Sequence, residues 1–191
     1  MNIIITGISS GVGYGLALFY LKEGHTVFGI GRNSNAKLEK FDNFNFLAQD
    51  LSVLDEITLN IPAFLKNLKK IDLVVLNAGM LNEIKDMKDT SLEEIKLIMD
   101  VNVWSNKVLL DVLFQFVPVI KQIVAISSGA SVNGSRGWNA YSLSKATLNM
   151  LIQLYSKEKI DCHFTALAPG LIDSNMQDYI YDLSTEKEKK F

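Results

Sequence analysis

The sequence is poor in the residues that build disulfides and metal sites. Its 191 residues include one cysteine, Cys162, and two histidines, His25 and His163. A single cysteine forms no internal disulfide, which points to a reducing compartment, so we predict a cytoplasmic protein. The histidines lie far apart and outside any ligand-like spacing, so we predict no metal site.

Long apolar runs and a strong excess of one charge are also missing. No apolar run approaches the ~18 residues of a membrane span, and the chain starts directly in a predicted strand, without a signal-peptide pattern. The formal net charge of −2 gives no reason to expect nucleic acid or an anionic membrane as partner. The composition is that of an ordinary globular protein, and we predict one domain over residues 1–191.

Strand-like and helical patterns alternate along the chain. Strands are predicted at 2–5, 25–30, 45–48, 71–76, 122–126 and 164–168. Helices are predicted over 35–40 (weakly), over 54–68 with a kink or early end at Pro62, from Ser91 to Phe116 with a break near Asp100, and over 141–157. The alternation predicts an α/β fold, a doubly wound parallel sheet with helices on both faces.

A glycine-dense turn lies between the first strand and a further predicted helix, which has apolar Leu16, Leu18, Phe19 and Leu21. Its residues are Gly7, Ser9, Ser10, Gly11, Val12 and Gly13, with Ile8 among them. Exposed backbone amides and the positive end of the helix dipole favour an anion there, usually a pyrophosphate. The alternative is a tight turn that only packs the helix onto the strand.

Polar or glycine-rich residues also follow the other predicted strands. In an open parallel sheet, ligands bind outside the carboxyl ends of the strands, so these residues are expected to face one site. They are Arg32, Asp50, Asn77, Ala78, Gly79, Ser128, Pro169 and Gly170.

In order and position, these segments resemble the motifs of the short-chain dehydrogenase/reductase family over nearly the whole chain. The matching segments are Thr6-Gly7-x-x-x-Gly11-x-Gly13, Asn77-Ala78-Gly79, Asn102, Ser128, Tyr141-Ser-Leu-Ser-Lys145 and Pro169-Gly170-Leu-Ile172-Asp-Ser174. Two departures are Leu76, where a further asparagine is common, and Ser174, where threonine is usual. The resemblance implies a Rossmann-like, three-layer fold.

The resemblance implies an oxidoreductase that reduces a carbonyl to an alcohol with NAD(P)H, or catalyses the reverse. Tyr141 would be the acid/base, Ser128 would bind the substrate oxygen, and Asn102 would hold a relay water behind Lys145. Tyr141 and Lys145 share one helix face, so the ammonium is expected to favour the phenolate. The alternative is an ordinary amphipathic helix with an exposed lysine.

The residue after the second strand bears on cofactor choice. Gly31 stands where an NAD-binding acid would be and Arg32 follows, so NADP is favoured and NAD is the alternative. Asp50 and Leu51 resemble the adenine-binding pair, with a helix N-cap as the rival role of Asp50 or Ser52. The predicted cofactor-binding residues are Gly7, Ser9, Ser10, Gly11, Val12, Gly13, Arg32, Asp50, Leu51, Asn77, Ala78, Gly79, Tyr141, Lys145, Pro169, Gly170, Ile172 and Ser174.

Several questions stay open at the level of sequence. The seventh strand and substrate-covering segment typical of the family are not visible, so a non-catalytic dinucleotide-binding module or a scaffold is the alternative function. A homodimer through helices 102–116 and 141–157 is a hypothesis drawn from the family. The substrate is predicted only as a small carbonyl compound or alcohol. The side chains suggested for an apolar pocket wall are Val132, Trp138, Leu171, Met176 and Tyr179.

Overall fold

The computed structural model describes residues 1–172, 178–179 and 181–182. Its strands are β1 (Asn2–Thr6), β2 (Thr26–Gly31), β3 (Phe44–Ala48), β4 (Lys70–Ile71), β5 (Leu73–Leu76), β6 (Val119–Ile120), β7 (Gln122–Ile126) and β8 (His163–Leu167). Six of them form a parallel sheet in the order β3-β2-β1-β5-β7-β8. The chain runs outward from β1 to β3 and returns to β5 beside β1, which confirms the predicted doubly wound sheet. The crevice where the strand order reverses lies between β1 and β5.

The helices are α1 (Gly11–Lys22), α2 (Leu54–Phe64), α3 (Leu92–Met99), α4 (Ser105–Phe116) and α5 (Asn139–Glu158). A π-helical turn, Asp100–Trp104, joins α3 to α4, so the predicted break near Asp100 is confirmed. The predicted early end of α2 is also confirmed, since the helix contains Pro62 and ends at Phe64. Among the described helices, none has the length and apolarity to cross a membrane.

Two predicted elements are wrong in detail. The strand predicted over 71–76 is divided at Asp72, whose carboxylate accepts a hydrogen bond from Asn2 N at 3.0 Å, and β4 pairs instead with β6. The weak helix predicted over 35–40 is a series of turns. The Asn35 side chain accepts a hydrogen bond from Lys37 N at 3.0 Å, a local bond that competes with helix formation.

The core has two parts, one on each face of the main sheet. On one face, Ile4 packs with apolar residues of α2, α4 and α5. On the other face, Ile3 and Ile5 pack with Ala17 and Leu21 of α1. Successive residues of β1 thus point to opposite faces, as a strand covered on both sides requires. This confirms the expected three-layer arrangement and leaves the carboxyl ends of the strands free to form a site.

Candidate active site

The turn after β1 requires glycine at three positions. Gly7 and Gly11 have φ of 72° and 57°, in the left-handed region. A Cβ on Gly13 would lie 2.2 Å from Gly7 O, so the helix start packs directly on the turn. The N-cap of α1, Ser10, makes no side-chain capping bond. The first amides of α1 are therefore not capped by that side chain, which suits an anion at the helix start.

Thr6 and Asn77 tie this turn to the end of β5. The buried Thr6 Oγ1 accepts hydrogen bonds from Asn77 N at 3.0 Å and Ala78 N at 2.9 Å. Asn77 Nδ2 donates in return to Thr6 O at 2.9 Å and Gly7 O at 3.0 Å. The segment predicted from Asn77 to Gly79 is thereby fixed beside the glycine turn.

Arg32 and Asp50 lie past the ends of β2 and β3, at one end of the crevice. Asp50 Oδ1 accepts hydrogen bonds from Ser52 N at 2.9 Å and Ser52 Oγ at 2.8 Å. These bonds, with a smaller contribution from the charge of Arg32, lower the pKa of the Asp50 carboxyl. The rival role of Asp50 or Ser52 as helix N-cap is wrong, because the N-cap of α2 is Val53 and the aspartate closes a local turn.

Tyr141 and Lys145 lie one turn apart on α5, and both are buried, at 7% and 4% exposure. Lys145 Nζ donates a hydrogen bond to Ile126 O at 2.7 Å and lies 5.6 Å from the centroid of the Tyr141 ring. Burial lowers the pKa of Lys145 to about 8. The alternative of an exposed lysine on an amphipathic helix is therefore wrong.

The expected lowering of the Tyr141 pKa by Lys145 is also wrong in this structure. Burial raises the pKa of Tyr141, and a hydrogen bond from Ser128 opposes that rise in part. Ser128 lies two residues past the end of β7 and caps the 3-10 turn Gly129–Ser131, where its Oγ accepts a hydrogen bond from Ala130 N at 3.2 Å. The phenol and the serine hydroxyl thus lie together, as the sequence predicted.

Asn102 lies in the π-helical turn and is fully buried. Its Oδ1 accepts a hydrogen bond from Met80 N at 2.8 Å, and its Nδ2 donates to Met80 O at 3.0 Å and Ser144 Oγ at 2.9 Å. The Asn102 side chain therefore links the π-helical turn to the backbone of Met80 and to Ser144 of α5. Its predicted role as holder of a relay water stays a prediction.

A cavity of about 800 Å³ lies along the carboxyl ends of the strands. It is lined by these predicted site residues: Gly7, Ser9, Ser10, Gly11, Val12, Arg32, Asp50, Leu51, Asn77, Ala78, Gly79, Ser128, Tyr141, Lys145, Pro169, Gly170 and Ile172. Gly13 and Asn102 lie behind the lining, and Ser174 lies outside the described residues. The strand ends thus share one site, as predicted.

Beyond Tyr141 the cavity wall is largely apolar. Trp138 lies against Tyr141 with ring centroids 5.8 Å apart. Other uncharged lining residues at this end are Met80, Leu97, Val101, Ala130, Asn133, Ser135 and Leu171. Of the suggested pocket wall, Trp138 and Leu171 line the cavity, Val132 and Tyr179 do not line it, and Met176 lies outside the described residues.

Sequence reasoning missed the side chains that hold these groups from behind. Thr6, Asn82 and Ser144 are buried and each bonds the backbone of a predicted site residue. A hint was available for Thr6 and Ser144, which lie within the matching segments Thr6–Gly13 and Tyr141–Lys145, whereas Asn82 lies outside them. Across residues 1–172, 178–179 and 181–182, no group of three or more histidine, cysteine or acidic side chains is placed to hold a metal ion.

Comparisons with known proteins identify the family of this chain. The profile of the short chain dehydrogenase family matches residues 1–183. A benzil reductase ((S)-benzoin forming) from Bacillus cereus is 29% identical over 200 residues, covering 96% of this chain and 80% of that protein. An NADPH-dependent pterin aldehyde reductase from Arabidopsis thaliana is 30% identical over 187 residues, covering 92% and 76%.

Solved structures give the same result. A short chain dehydrogenase family protein from Francisella tularensis superimposes with a TM-score of 0.87 at 25% identity, covering 98% of this chain and 76% of that one. The fold and the crevice define a Rossmann-like α/β domain. The chain belongs to the short-chain dehydrogenase family of oxidoreductases.

Proposed function

We propose that the protein is an NADP(H)-dependent reductase that converts a carbonyl to an alcohol. The observation that carries this proposal is the meeting of Tyr141, Ser128 and Lys145 in the same cavity as the glycine turn. A buried phenol and a half-buried serine hydroxyl beside an amine are suited to protonating a carbonyl oxygen, and the turn is suited to a pyrophosphate.

The residues present fit a dinucleotide. The left-handed backbone of Gly7 and Gly11 shapes the turn, and the Ser10 side chain makes no capping bond to the first amides of α1, so backbone N–H groups at the helix start suit a pyrophosphate. Arg32 would pair with a 2′-phosphate, Asp50 and Leu51 would contact the adenine, and the nicotinamide would lie near Tyr141. The residues proposed to hold that ring and its ribose are Asn77, Ala78, Gly79, Lys145, Pro169, Gly170, Ile172 and Ser174.

The protein groups would supply the proton and the orientation. Bound NADPH supplies a hydride to the carbonyl carbon. Tyr141 donates its hydroxyl proton to the oxygen as the C–O double bond becomes single, and Ser128 donates a hydrogen bond to the same oxygen. Because burial holds the pKa of Lys145 at about 8, its ammonium releases and regains a proton near neutral pH. Lys145 is thereby suited to restoring the proton on Tyr141.

The apolar end of the cavity favours an uncharged, aromatic carbonyl compound. In the described part of the chain, the charged side chains that line the cavity are Arg32, Asp50 and Lys145. The first two lie at the adenosine end and Lys145 is bonded to Ile126 O. No lining cation is therefore placed to pair with a substrate phosphate or carboxylate beside Trp138. The relative named benzil reductase supports this proposal.

The test is NADPH oxidation with a panel of carbonyl compounds. We expect turnover with benzil and other aryl ketones, and at least about 10-fold lower kcat/KM for sugar phosphates, because an unpaired buried charge is costly. Turnover of no carbonyl compound, with NADPH still bound, would support the binding-module alternative instead.

Cofactor preference is tested at Arg32. We expect Arg32→Ala to weaken NADPH binding about 10- to 100-fold, because a charge-assisted bond to the 2′-phosphate contributes about 1.5–3 kcal/mol. NADH binding should be unchanged, and calorimetry measures both. Equal weakening of both cofactors would contradict the role of Arg32.

We also propose a homodimer through α4 and α5. Leu143, Met150 and Leu154 are 47%, 54% and 55% exposed on one face of α5, and Trp104 is 41% exposed at the start of α4. Light scattering should give a dimer mass, and a monomer at working concentration would refute it.

The cytoplasmic location stays a prediction from the single cysteine.

A further inference from the structure

The first turn of α5 lacks the usual cap. The first N–H groups of a helix have no partner within it, and a side chain at the N-cap normally accepts from the third one. The N-cap of α5 is Trp138, which makes no side-chain capping bond. Tyr141 is the third residue of α5, and its N–H donates instead to Asn82 Oδ1 at 3.1 Å, 59 residues away in sequence.

The carbonyl of Tyr141 is held as well. Ser144 Oγ donates a hydrogen bond to Tyr141 O at 2.7 Å, and accepts one from Asn102 Nδ2 at 2.9 Å. Asn102 in turn bonds both backbone groups of Met80. Since Met80 is two residues before Asn82, the bonds close a ring that starts and ends at the main chain of Tyr141.

The members of this ring are shielded from water. Asn82 is 7% exposed, while Asn102 and Ser144 are fully buried. Asn82 is fixed further by donating Nδ2 to Glu83 O at 2.7 Å. A buried, satisfied network of this kind holds its members in one geometry, because breaking any bond leaves an unpaired buried group.

The segment that carries Asn82 is anchored to α5 beyond the ring. Asn139 Nδ2 donates to Lys85 O and to Thr90 Oγ1, both at 2.7 Å. Arg136 makes a bidentate ion pair with Asp86, with distances of 2.6 and 2.7 Å. The Asn139 bonds support Asn82 at the start of the helix, whereas the Arg136 pair is largely solvent-exposed, lies outside the ring and is expected to contribute little.

We propose that Asn82 is a positioning residue for Tyr141, acting through this hydrogen-bonded ring. The inference rests on the proposed function, in which the Tyr141 phenol must meet a carbonyl oxygen. Fixing both backbone groups of Tyr141 fixes the base of its side chain. A small displacement of a reacting group lowers the rate far more than it lowers substrate binding.

Turnover of the variants tests the proposal. We expect Asn82→Ala to lower kcat on the order of 10- to 100-fold, with KM and NADPH affinity little changed. Asn82→Asp keeps an acceptor for the Tyr141 N–H at a helix start that favours negative charge but loses the Nδ2 donor to Glu83 O, so kcat should lie between those of Asn82→Ala and the wild type. Arg136→Ala is the matched control outside the ring and should stay within about 2-fold.

A double-mutant cycle tests the ring itself. Once the ring is open at one point, opening it at a second point adds little. The double variant Asn82→Ala with Ser144→Ala should therefore have about the same kcat as whichever single variant has the lower kcat. Losses that multiply, or a folded Asn82→Ala with wild-type kcat, would overturn the proposal.

Hydrogen exchange separates this proposal from the proposed function. The Tyr141 amide should exchange slowly in the wild type and in Arg136→Ala, and faster in Asn82→Ala. If the wild type reduces no carbonyl, the proposed function fails while this measurement still tests the bond. An amide equally protected in Asn82→Ala would show that Asn82 does not hold Tyr141.

Discussion

The two ends of the cavity are built in different ways. At the glycine turn the wall is main chain, and contacts such as Gly13 against Gly7 O leave no room for a side chain. Around Tyr141 the wall depends on side-chain amides and hydroxyls, with Asn82, Asn102 and Ser144 each bonding backbone groups. Adding an atom at the glycine turn should therefore lower stability or activity, and around Tyr141 removing an atom should do so.

The largest effect should come from Lys145→Met. We expect kcat to fall about 10²- to 10⁴-fold, the range for losing a group that supports acid–base catalysis. NADPH binding should weaken but persist, because Lys145 is proposed to hold the nicotinamide and its ribose while the glycine turn is untouched. Turnover kinetics and calorimetry measure the two effects, and a variant that keeps wild-type kcat would contradict the assignment.

The same variant should alter the pH dependence of stability. The pKa of Lys145 is about 8 in the folded protein, against an ordinary value of 10.5. Between pH 8 and 10.5 the folded state therefore binds fewer protons than the unfolded state. The free energy of unfolding of the wild type should therefore rise between pH 8 and 10.5, by on the order of 3 kcal/mol at most. Below pH 8 the cost of the buried charge is fully present. Denaturant unfolding at neutral and alkaline pH should show a smaller rise for Lys145→Met.

Gly13→Ala tests the main-chain end by adding one methyl group. Its Cβ would lie 2.2 Å from Gly7 O and 2.5 Å from Asn77 Nδ2, so the turn must move. We expect a loss of about 1–3 kcal/mol in the free energy of unfolding, and weaker NADPH binding.

The matched control is Gly15→Ala in the same helix, where nothing lies within 4 Å of the added carbon. Its stability should stay the same or rise by up to about 1 kcal/mol, through helix propensity. If Gly13→Ala and Gly15→Ala had the same stability and the same affinity for NADPH, close packing of the glycine turn would not limit that end of the cavity.

The smallest effect should come from Asn139→Ala, which removes atoms at the catalytic end. The variant loses two hydrogen bonds, to Lys85 O and Thr90 Oγ1. We expect the free energy of unfolding to fall by about 1–2 kcal/mol. Asn133→Ala, at an exposed residue of the preceding loop, should change it by less than about 0.5 kcal/mol. Thermal unfolding compares the two variants, and an equal loss would show that the Asn139 bonds do not stabilise the fold.

What the sequence could predict follows the same division. The strands and the glycine turn have patterns that depend on backbone geometry, such as the β-branched run before Thr6 and the glycines at positions 7, 11 and 13. The family resemblance added the order of the remaining motifs. The fold and the convergence of the strand ends on one cavity were therefore predictable.

The supporting side chains were not predictable, because their partners are distant in sequence. Asn82 bonds Tyr141 across 59 positions, and Asn102 bonds Ser144 across 42. Only the three-dimensional arrangement shows that each amide faces its partner. The pKa of Tyr141 was missed for a similar reason, since the burial that raises it depends on tertiary packing.

The most direct test of the central claim is turnover of benzil with NADPH by Tyr141→Phe. This variant removes one hydroxyl and keeps the buried ring beside Trp138 and Lys145. We predict that kcat falls by about 10²- to 10⁴-fold while the Kd for NADPH changes by no more than a few-fold, because one hydroxyl near the nicotinamide is lost. Wild-type turnover by the phenylalanine variant would contradict the assignment of Tyr141 as the proton donor.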